Sequence, residues 1–345
     1  MIGVLAKPSS THGIWMPTKI RGVGGPASFQ RKLVTAFQCR GISVGFAPKG
    51  YTHYRAALVI NATRHSAMLL KAKVMGTRIL QRLGSPFPSN SHQAIPVAQR
   101  MRLWLGDQNV ALTRRYLADR IVYQSFFVKE CWEKKHGRVN KPSKVIYNGV
   151  DLSLFSPDGP KYDSSADICI ISVEGTQIYP EHSPAFLVAQ EIKNQGLDVE
   201  LLLFGSPWAD SAARYASYPF INFMGPVAND ELPYYYRGAS IYVLNDIINA
   251  GCPNSVIEAL ACGVPVIGYT PGVLPEMLTP EAGKCVPALG DPWKGEPPGN
   301  IQALADAAMK IIENNWEFRR GARQLAEERY GLEHMVDHYI KVLFE

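Results

Sequence analysis

Short apolar runs separated by helical stretches recur in two series along this chain, and that recurrence limits what it can fold into. In the first half, Ala57–Asn61 (ALVIN) is an uninterrupted apolar run, and Arg78–Leu83 (RILQRL) and Arg120–Gln124 (RIVYQ) read as further strands. A strand with one wet face would alternate polar and apolar residues. An unbroken run fits a strand covered on both faces, as in a parallel sheet flanked by helices. Ser66–Val74, Val97–Leu117 and Val128–Gly137 read as the intervening helices, with shorter strands at Ile2–Ala6, Ile42–Phe46 and Lys144–Tyr147 and a helix over Phe29–Cys39. The second half repeats the scheme. Strands are expected at Ile168–Val173, Val199–Phe204, Ile221–Met224, Ile241–Leu244 and Val264–Tyr269 (VPVIGY), and helices at Pro184–Gln195, Asp230–Arg237, Ile301–Glu313 and Trp316–Phe344. Asp151–Asp167, rich in Ser, Pro, Asp and Gly, reads as the junction. The fold class is therefore α/β, with two open parallel sheets in series. Ligands in such sheets bind outside the carboxyl ends of the strands, so a cleft between the two is the expected site.

Length and composition agree with this scheme and narrow the function. At 345 residues there is enough chain for two ordinary domains, and 46% hydrophobic with 19% charged residues is a globular balance. The six cysteines form no CxxC pair or Cys/His cluster, so no metal site is expected. A formal net charge of +6 permits an acidic ligand, an anionic membrane surface or nucleic acid without choosing among them. Arg100, Arg102, Arg114, Arg115, Arg120 and the run KKHGRVNKPSK from Lys134 make the first half basic. Such charge usually marks a solvated face, with peripheral contact with anionic lipid as the alternative; aromatic and basic residues do not interleave there, so nucleic acid is not an expected partner. MIGVLAKPSS is too short an apolar run for a signal peptide, and no run approaches bilayer length, so a cytoplasmic setting is expected.

Cys252–Gly263, CPNSVIEALACG, carries the most chemistry. Pro253 suits a first helical turn, Asn254 or Ser255 is a candidate cap, and Val256, Ile257 and Leu260 supply an apolar face. Gly263 and Pro265 end the helix. The open N–H groups and the dipole then face whatever stands before Gly251, which makes the helix start a candidate anion site; an ordinary capped helix between two buried strands is the alternative. Glu258, one turn in, can reach past the anion to hydroxyls. Phosphate beside a diol is the chemistry of a nucleotide sugar. Gly22–Phe29 (GVGGPASF) is a second glycine loop ahead of a helix. Gly22, Gly24 and Ala27 nominally fit the dinucleotide fingerprint, but the loop stands far from Ala6 and no acid ends the next strand. A loop whose backbone admits a phosphate or sugar over Pro26–Phe29 fits better, with a plain flexible loop as the alternative. His65, Gln81 and Arg82 lie at or just beyond strand ends, where sites collect; the remaining histidines fall in polar stretches and read as solvated.

Taken together these pieces resemble a family 4 glycosyltransferase of the GT-B fold, two Rossmann-like domains facing across a donor cleft. The resemblance rests on CPNSVIEALACGVPVIGY, followed by Gly272 and Pro275-Glu276, and on VIYNGVDLSLFSP at the junction. It implies an acceptor-side domain over residues 1–155, rejoined by a terminal helix at about 325–345, and a donor domain over 156–324. It further implies transfer of a sugar, with retention, from a nucleotide diphosphate to a saccharide or lipid-linked hydroxyl, without a metal or other cofactor. Glu258 would hold the donor ribose, and Gly251, Pro253, Asn254, Ser255 and Val256 the diphosphate. Gly24, Gly25 and Pro26 would approach from the other domain. Three departures stand out. Ala250 replaces an acid usual eight positions before Glu258, SVEGTQIYPEHS (172–183) lacks the usual Arg and Lys, and Gln81 or Arg82 stands where a histidine is common. Arg82 is the candidate catalytic cation in their stead. A nucleotide-sugar binder without turnover and a nucleotide-sugar epimerase are the alternatives.

Overall fold

The structure, a computed structural model, describes residues 13–22, 24–46, 54–86, 97–173, 180–206, 209–246, 251–291 and 296–345. Its first sheet is built from β1 (Gly13–Trp15), β2 (Ser43–Gly45), β3 (Ala56–Ile60), β4 (Arg78–Leu83), β5 (Arg120–Tyr123) and β6 (Ser143–Val145). They are parallel, in the order β2-β1-β3-β4-β5-β6. Helices α1 (Gly25–Cys39), α2 (Ser66–Val74), α3 (Val97–Leu112) and α4 (Phe126–His136) connect them. The second sheet holds β7 (Ile168–Val173), β8 (Val199–Phe204), β9 (Ile221–Gly225), β10 (Ile241–Val243), β11 (Val266–Thr270) and β12 (Gly283–Pro287), parallel in the order β12-β11-β10-β7-β8-β9. Its helices are α5 (Pro184–Asn194), α6 (Ala209–Tyr215), α7 (Leu232–Gly238), α8 (Asn254–Ala261) and α9 (Leu274–Met277), followed by α10 (Ile301–Glu313), α11 (Asn315–Arg329) and α12 (Leu332–Phe344).

The unbroken apolar runs became the central strands for the expected reason. Every residue of β3 and of β8 is buried, and helices cover both sheet faces. The α1 pattern, with Ala27, Phe29, Gln30, Leu33, Ala36 and Phe37 inward, follows helical periodicity. The terminal helical stretch breaks at Gly331. Helix α11 packs with the second sheet's helices through Ala322, Leu325 and Ala326. Beyond Gly331 the chain crosses, and Met335, Val336, Tyr339 and Leu343 of α12 join Ile14, Phe29 and Leu33 in the first domain's core. At the crossing Val150 N–H donates to Tyr330 O at 2.8 Å and Leu332 N–H to Val150 O at 2.9 Å. Gly149 permits this approach: a Cβ there would lie 2.8 Å from Leu332 Cα.

Several expectations change. Ile2–Ala6 lies outside the described residues, and the strand that feeds α1 is Gly13–Trp15, paired centrally between β2 and β3. Only three residues long and bounded by Gly13 and Pro17, it gives almost no periodic signal, although Ile14 and Trp15 are fully buried. The glycine loop therefore follows its strand closely, and distance from Ala6 is no longer a reason to discount it. Basic helix α3 ends at Leu112 in a π-helical turn, Thr113–Leu117. Helix α6, the short α9 and strand β12 were not anticipated.

Candidate active site

Each sheet order reverses direction at one pair of strands, and the site lies at both reversals. In the second sheet β7 and β10 are neighbours, and the chain leaves them to opposite sides. In the first sheet β1 and β3 are the corresponding pair. A cavity of about 270 Å³ lies between these carboxyl ends. Gly25, Pro26, Asn61, Arg82, Gly84, Ser85 and Gln124 line it from one domain, Asn148 from the junction, and Asp246 and Gly251–Asn254 from the other.

Helix α8 points its start at this cavity. Pro253 is the N-cap (φ −66°, ψ 126°), and among the described residues no side chain caps the helix. Asn254 and Ser255, expected as caps, are engaged elsewhere. Asn254 Oδ1 accepts from Asn148 Nδ2 at 3.0 Å, and Ser255 Oγ accepts from the Tyr242 hydroxyl at 2.9 Å. The first-turn N–H groups thus carry the helix's partial positive charge with no internal acceptor from a described side chain. The other end is satisfied: Ala261 O accepts from Arg323 Nη1 at 2.8 Å. The helix is rigidly seated, with Val256, Ile257, Ala259, Leu260 and Ala261 fully buried. Burial of that order contributes about 1.5–3 kcal/mol for each large side chain.

Helix α1 faces the same cavity from the first domain. Gly24 is its N-cap, again without a side-chain cap, and Pro26 sits in the first turn. The backbone of Gly24 is ordinary (φ −67°, ψ 169°), and a Cβ on Gly24 or Gly25 would meet nothing within 4 Å. Neither backbone conformation nor internal packing demands glycine here. What glycine preserves is clear space before the helix start. Two uncapped helix starts, one per domain, therefore bound one cavity.

The charged groups around it are tied across the domains. Glu258 is 3% exposed; its Oε1 accepts from Lys32 Nζ of α1 at 3.4 Å and from Asn229 Nδ2 at 3.2 Å. Arg82 is buried, donates through Nη2 to Asn148 Oδ1 at 2.8 Å, and lies 3.7 Å over the Phe29 ring. Desolvation lowers its pKa below the usual arginine value, opposed by the nearby Tyr339 and Cys252, yet a guanidinium keeps its charge. Its Nε has no hydrogen-bond partner among the described residues. Asn148 is the hub, since its Nδ2 also donates to Cys252 O at 2.8 Å and its N–H to Cys252 Sγ at 3.2 Å. Burial pushes the Cys252 thiol up to about 12, so it stays a neutral packing group.

Among the residues expected from sequence, Arg82, Gly25, Pro26, Gly251, Pro253 and Asn254 line the cavity. Gly24 adjoins it as the α1 cap, while Ser255, Val256 and Glu258 stand behind its wall on α8. Gln81 turns to the other sheet face, donating to Asn61 O and Val110 O. His65 precedes α2 and is not part of the lining. Ala250 and residues 174–179 lie outside the described residues. Lys32 and Asn229 were missed as site groups, and Asn148 and Glu276, quoted within VIYNGVDLSLFSP and Pro275-Glu276, were given no role. Each acts through a partner remote in sequence, so no local spacing shows what it does.

Comparison with known proteins finds this geometry elsewhere. Residues 186–314 match the family model of glycosyl transferases group 1. An O-antigen chain mannosyltransferase B of Escherichia coli is 28% identical over 112 residues, 32% of this chain and 26% of that relative. The match therefore spans about a quarter of the relative's length. Sucrose-phosphate synthase from Thermosynechococcus elongatus has the same fold, with a TM-score of 0.71 at 18% identity over 96% of this chain and 98% of that one. Anabaena HepE in complex with UDP-glucose matches with a TM-score of 0.66 at 15% identity, covering 96% and 99%. The two six-stranded parallel sheets are the GT-B fold of these glycosyltransferases, as the resemblance in the sequence implies.

Proposed function

We propose that this protein is a retaining, family 4-like glycosyltransferase. It moves a sugar from a nucleotide diphosphate to a hydroxyl of a saccharide or lipid-linked acceptor during polysaccharide or glycolipid assembly. The observation that carries this reading is the pair of uncapped helix starts facing one cavity, with a buried carboxylate one turn inside α8. The matched family model, the mannosyltransferase relative and the UDP-glucose complex of a protein with the same fold support it.

The chemistry follows from charge. The bond from the anomeric carbon to the diphosphate breaks, and its electron pair goes to the diphosphate. The acceptor oxygen bonds to the same face of that carbon, and the hydroxyl proton passes to the departing diphosphate. Developing charge on the leaving group is the main barrier, so fixed donors aimed at it lower it most. The N–H groups at Ser255 and Val256 fill that role from one side, those behind Gly24 from the other, and Arg82 supplies the cation. No metal enters this scheme. Glu258 takes the donor diol, whose hydroxyls replace Lys32 and Asn229 as its partners. A second reading, a nucleotide-sugar binder without turnover, is favoured by one observation: among the described residues Arg82 is the one cation lining the cavity, and Asn148 already engages it. Release of nucleotide diphosphate across a panel of donors, with and without saccharide acceptors, tests both. Release that depends on one donor supports the transferase. Donor binding without release supports the second reading, and a new sugar nucleotide formed without acceptor would point to an epimerase.

A further inference from the structure

Helix α3 presents apolar side chains to solvent along one stripe. Met101 (54% exposed), Trp104 (52%), Leu105 (55%) and Leu112 (57%) recur at helical spacing, and Tyr116 (63%) continues the stripe into the π-helical turn. At 100° per residue, Arg100 and Arg102 fall on the two flanks of that stripe, and both are exposed. Arg115 lies beside Tyr116, also exposed. The inward face is an ordinary one, with Val110 packed against Leu83 and Trp132. Helix α2 abuts the turn, its Lys73 Nζ donating to Leu117 O at 2.8 Å, and adds exposed Leu70, Val74 and Lys71. Across α2, α3 and the turn the one acid is Asp107, which is buried and paired with Lys135 and His136. A monomer in water has no use for such a face.

We infer that the outer face of α3, extended by α2, docks on an anionic lipid bilayer. An apolar stripe carrying a tryptophan and a tyrosine and flanked by arginines is the makeup of a helix lying in the headgroup region. Its uncompensated positive charge complements anionic headgroups. A second copy would set like-charged flanks against each other, which disfavours self-association. Among the described residues no helix is long and apolar enough to cross a membrane, so the contact is peripheral. Val110 of α3 packs with Leu83, whose neighbour Gly84 lines the cavity, so a docked α3 holds the cleft near the lipid. Granting the transferase reading, the acceptor is then lipid-linked; the docking itself does not rest on that reading.

Co-sedimentation of the full chain with phosphatidylcholine vesicles, with and without phosphatidylglycerol, tests the inference. Binding is expected to the anionic vesicles and to fall with added salt. It should drop by about tenfold or more in Arg100→Glu/Arg102→Glu and in Met101→Ser/Trp104→Ser/Leu105→Ser, with unchanged melting temperatures. Equal binding to both vesicle types, or unchanged binding of the apolar variant, overturns it. So does a dimer in sedimentation velocity that the apolar variant dissolves. Nucleotide diphosphate binding is measured in parallel without vesicles. Its loss would remove the transferase reading and leave the docking, while loss of docking alone leaves the transferase reading.

Discussion

Two helix starts meet at the boundary between the domains, and they differ in what faces them. At the start of α4, Ser125 Oγ accepts from Val128 N–H at 3.1 Å. Glu276, from the other domain, accepts from the N–H groups of Phe126 at 2.9 Å and Phe127 at 3.1 Å, and from the Tyr147 hydroxyl at 3.4 Å. The positive end of α4 is thus answered inside the molecule and serves as a joint. At the start of α8 no described side chain plays that part, and the negative end is answered by Arg323. Identical backbone chemistry yields a structural clasp in one place and an open helix start facing the cavity in the other. The difference lies in where the nearest carboxylate points. Glu276 points at α4, whereas Glu258 sits behind the first turn of its own helix and turns to Lys32.

That contrast can be broken by mutation. The largest effect is expected from Arg82→Ala, which removes the lining cation. Transfer rate should fall by about 10²–10³-fold, with Arg82→Lys retaining part of it and thermal melting used to separate lost fold from lost chemistry. Next is Glu258→Gln. Losing a charged acceptor for the donor diol should weaken donor binding by about 1.5–3 kcal/mol, roughly ten- to a hundredfold, by titration calorimetry. Glu276→Ala should do the opposite kind of damage. It leaves two α4 N–H groups without their carboxylate and should cost about 1–2 kcal/mol of stability in denaturant melts, while donor affinity in the folded protein is unchanged.

A pH series sharpens the same point. Burial holds the Glu276 pKa above the ordinary glutamate value, only partly offset by the Phe126 and Phe127 N–H groups. A raised carboxyl pKa means that the folded state binds the proton more tightly than the unfolded state. The stabilising contribution is therefore complete below the ordinary glutamate pKa and is lost as pH rises through the folded value. Glu276→Gln does not titrate, so the melting temperature of the native protein should decline relative to this variant across that window. A constant difference would contradict the assignment. The smallest effect is expected for Gly25→Ala, whose Cβ meets nothing in the protein: stability should change by within about 1 kcal/mol, while nucleotide diphosphate affinity falls severalfold.

The fold was legible because its central strands are buried on both faces, which writes itself as runs such as ALVIN and VELLLF. Strand β1 was not, because three residues between a glycine and a proline carry no period, and only its neighbours β2 and β3 make it central. The place and extent of α8 were legible from Pro253, the apolar face and Gly263. Its capping was not. Asn254 and Ser255 are strong caps by type, but here they answer Asn148 and Tyr242, partners that local sequence cannot announce. The roles of Lys32, Asn148 and Glu276 escaped for the same reason: each is defined by a contact across the domain boundary.

The central claim is that the start of α8, and not that of α4, receives the donor diphosphate. Backbone amide spectra of the isotope-labelled protein, titrated in turn with uridine and guanosine diphosphate, test it most directly. With the nucleotide that binds, the Ser255 and Val256 amides should shift while Phe126 and Phe127 stay in place. Shifts at Phe126 and Phe127 with α8 unmoved, or no response at either helix to either nucleotide, would contradict it.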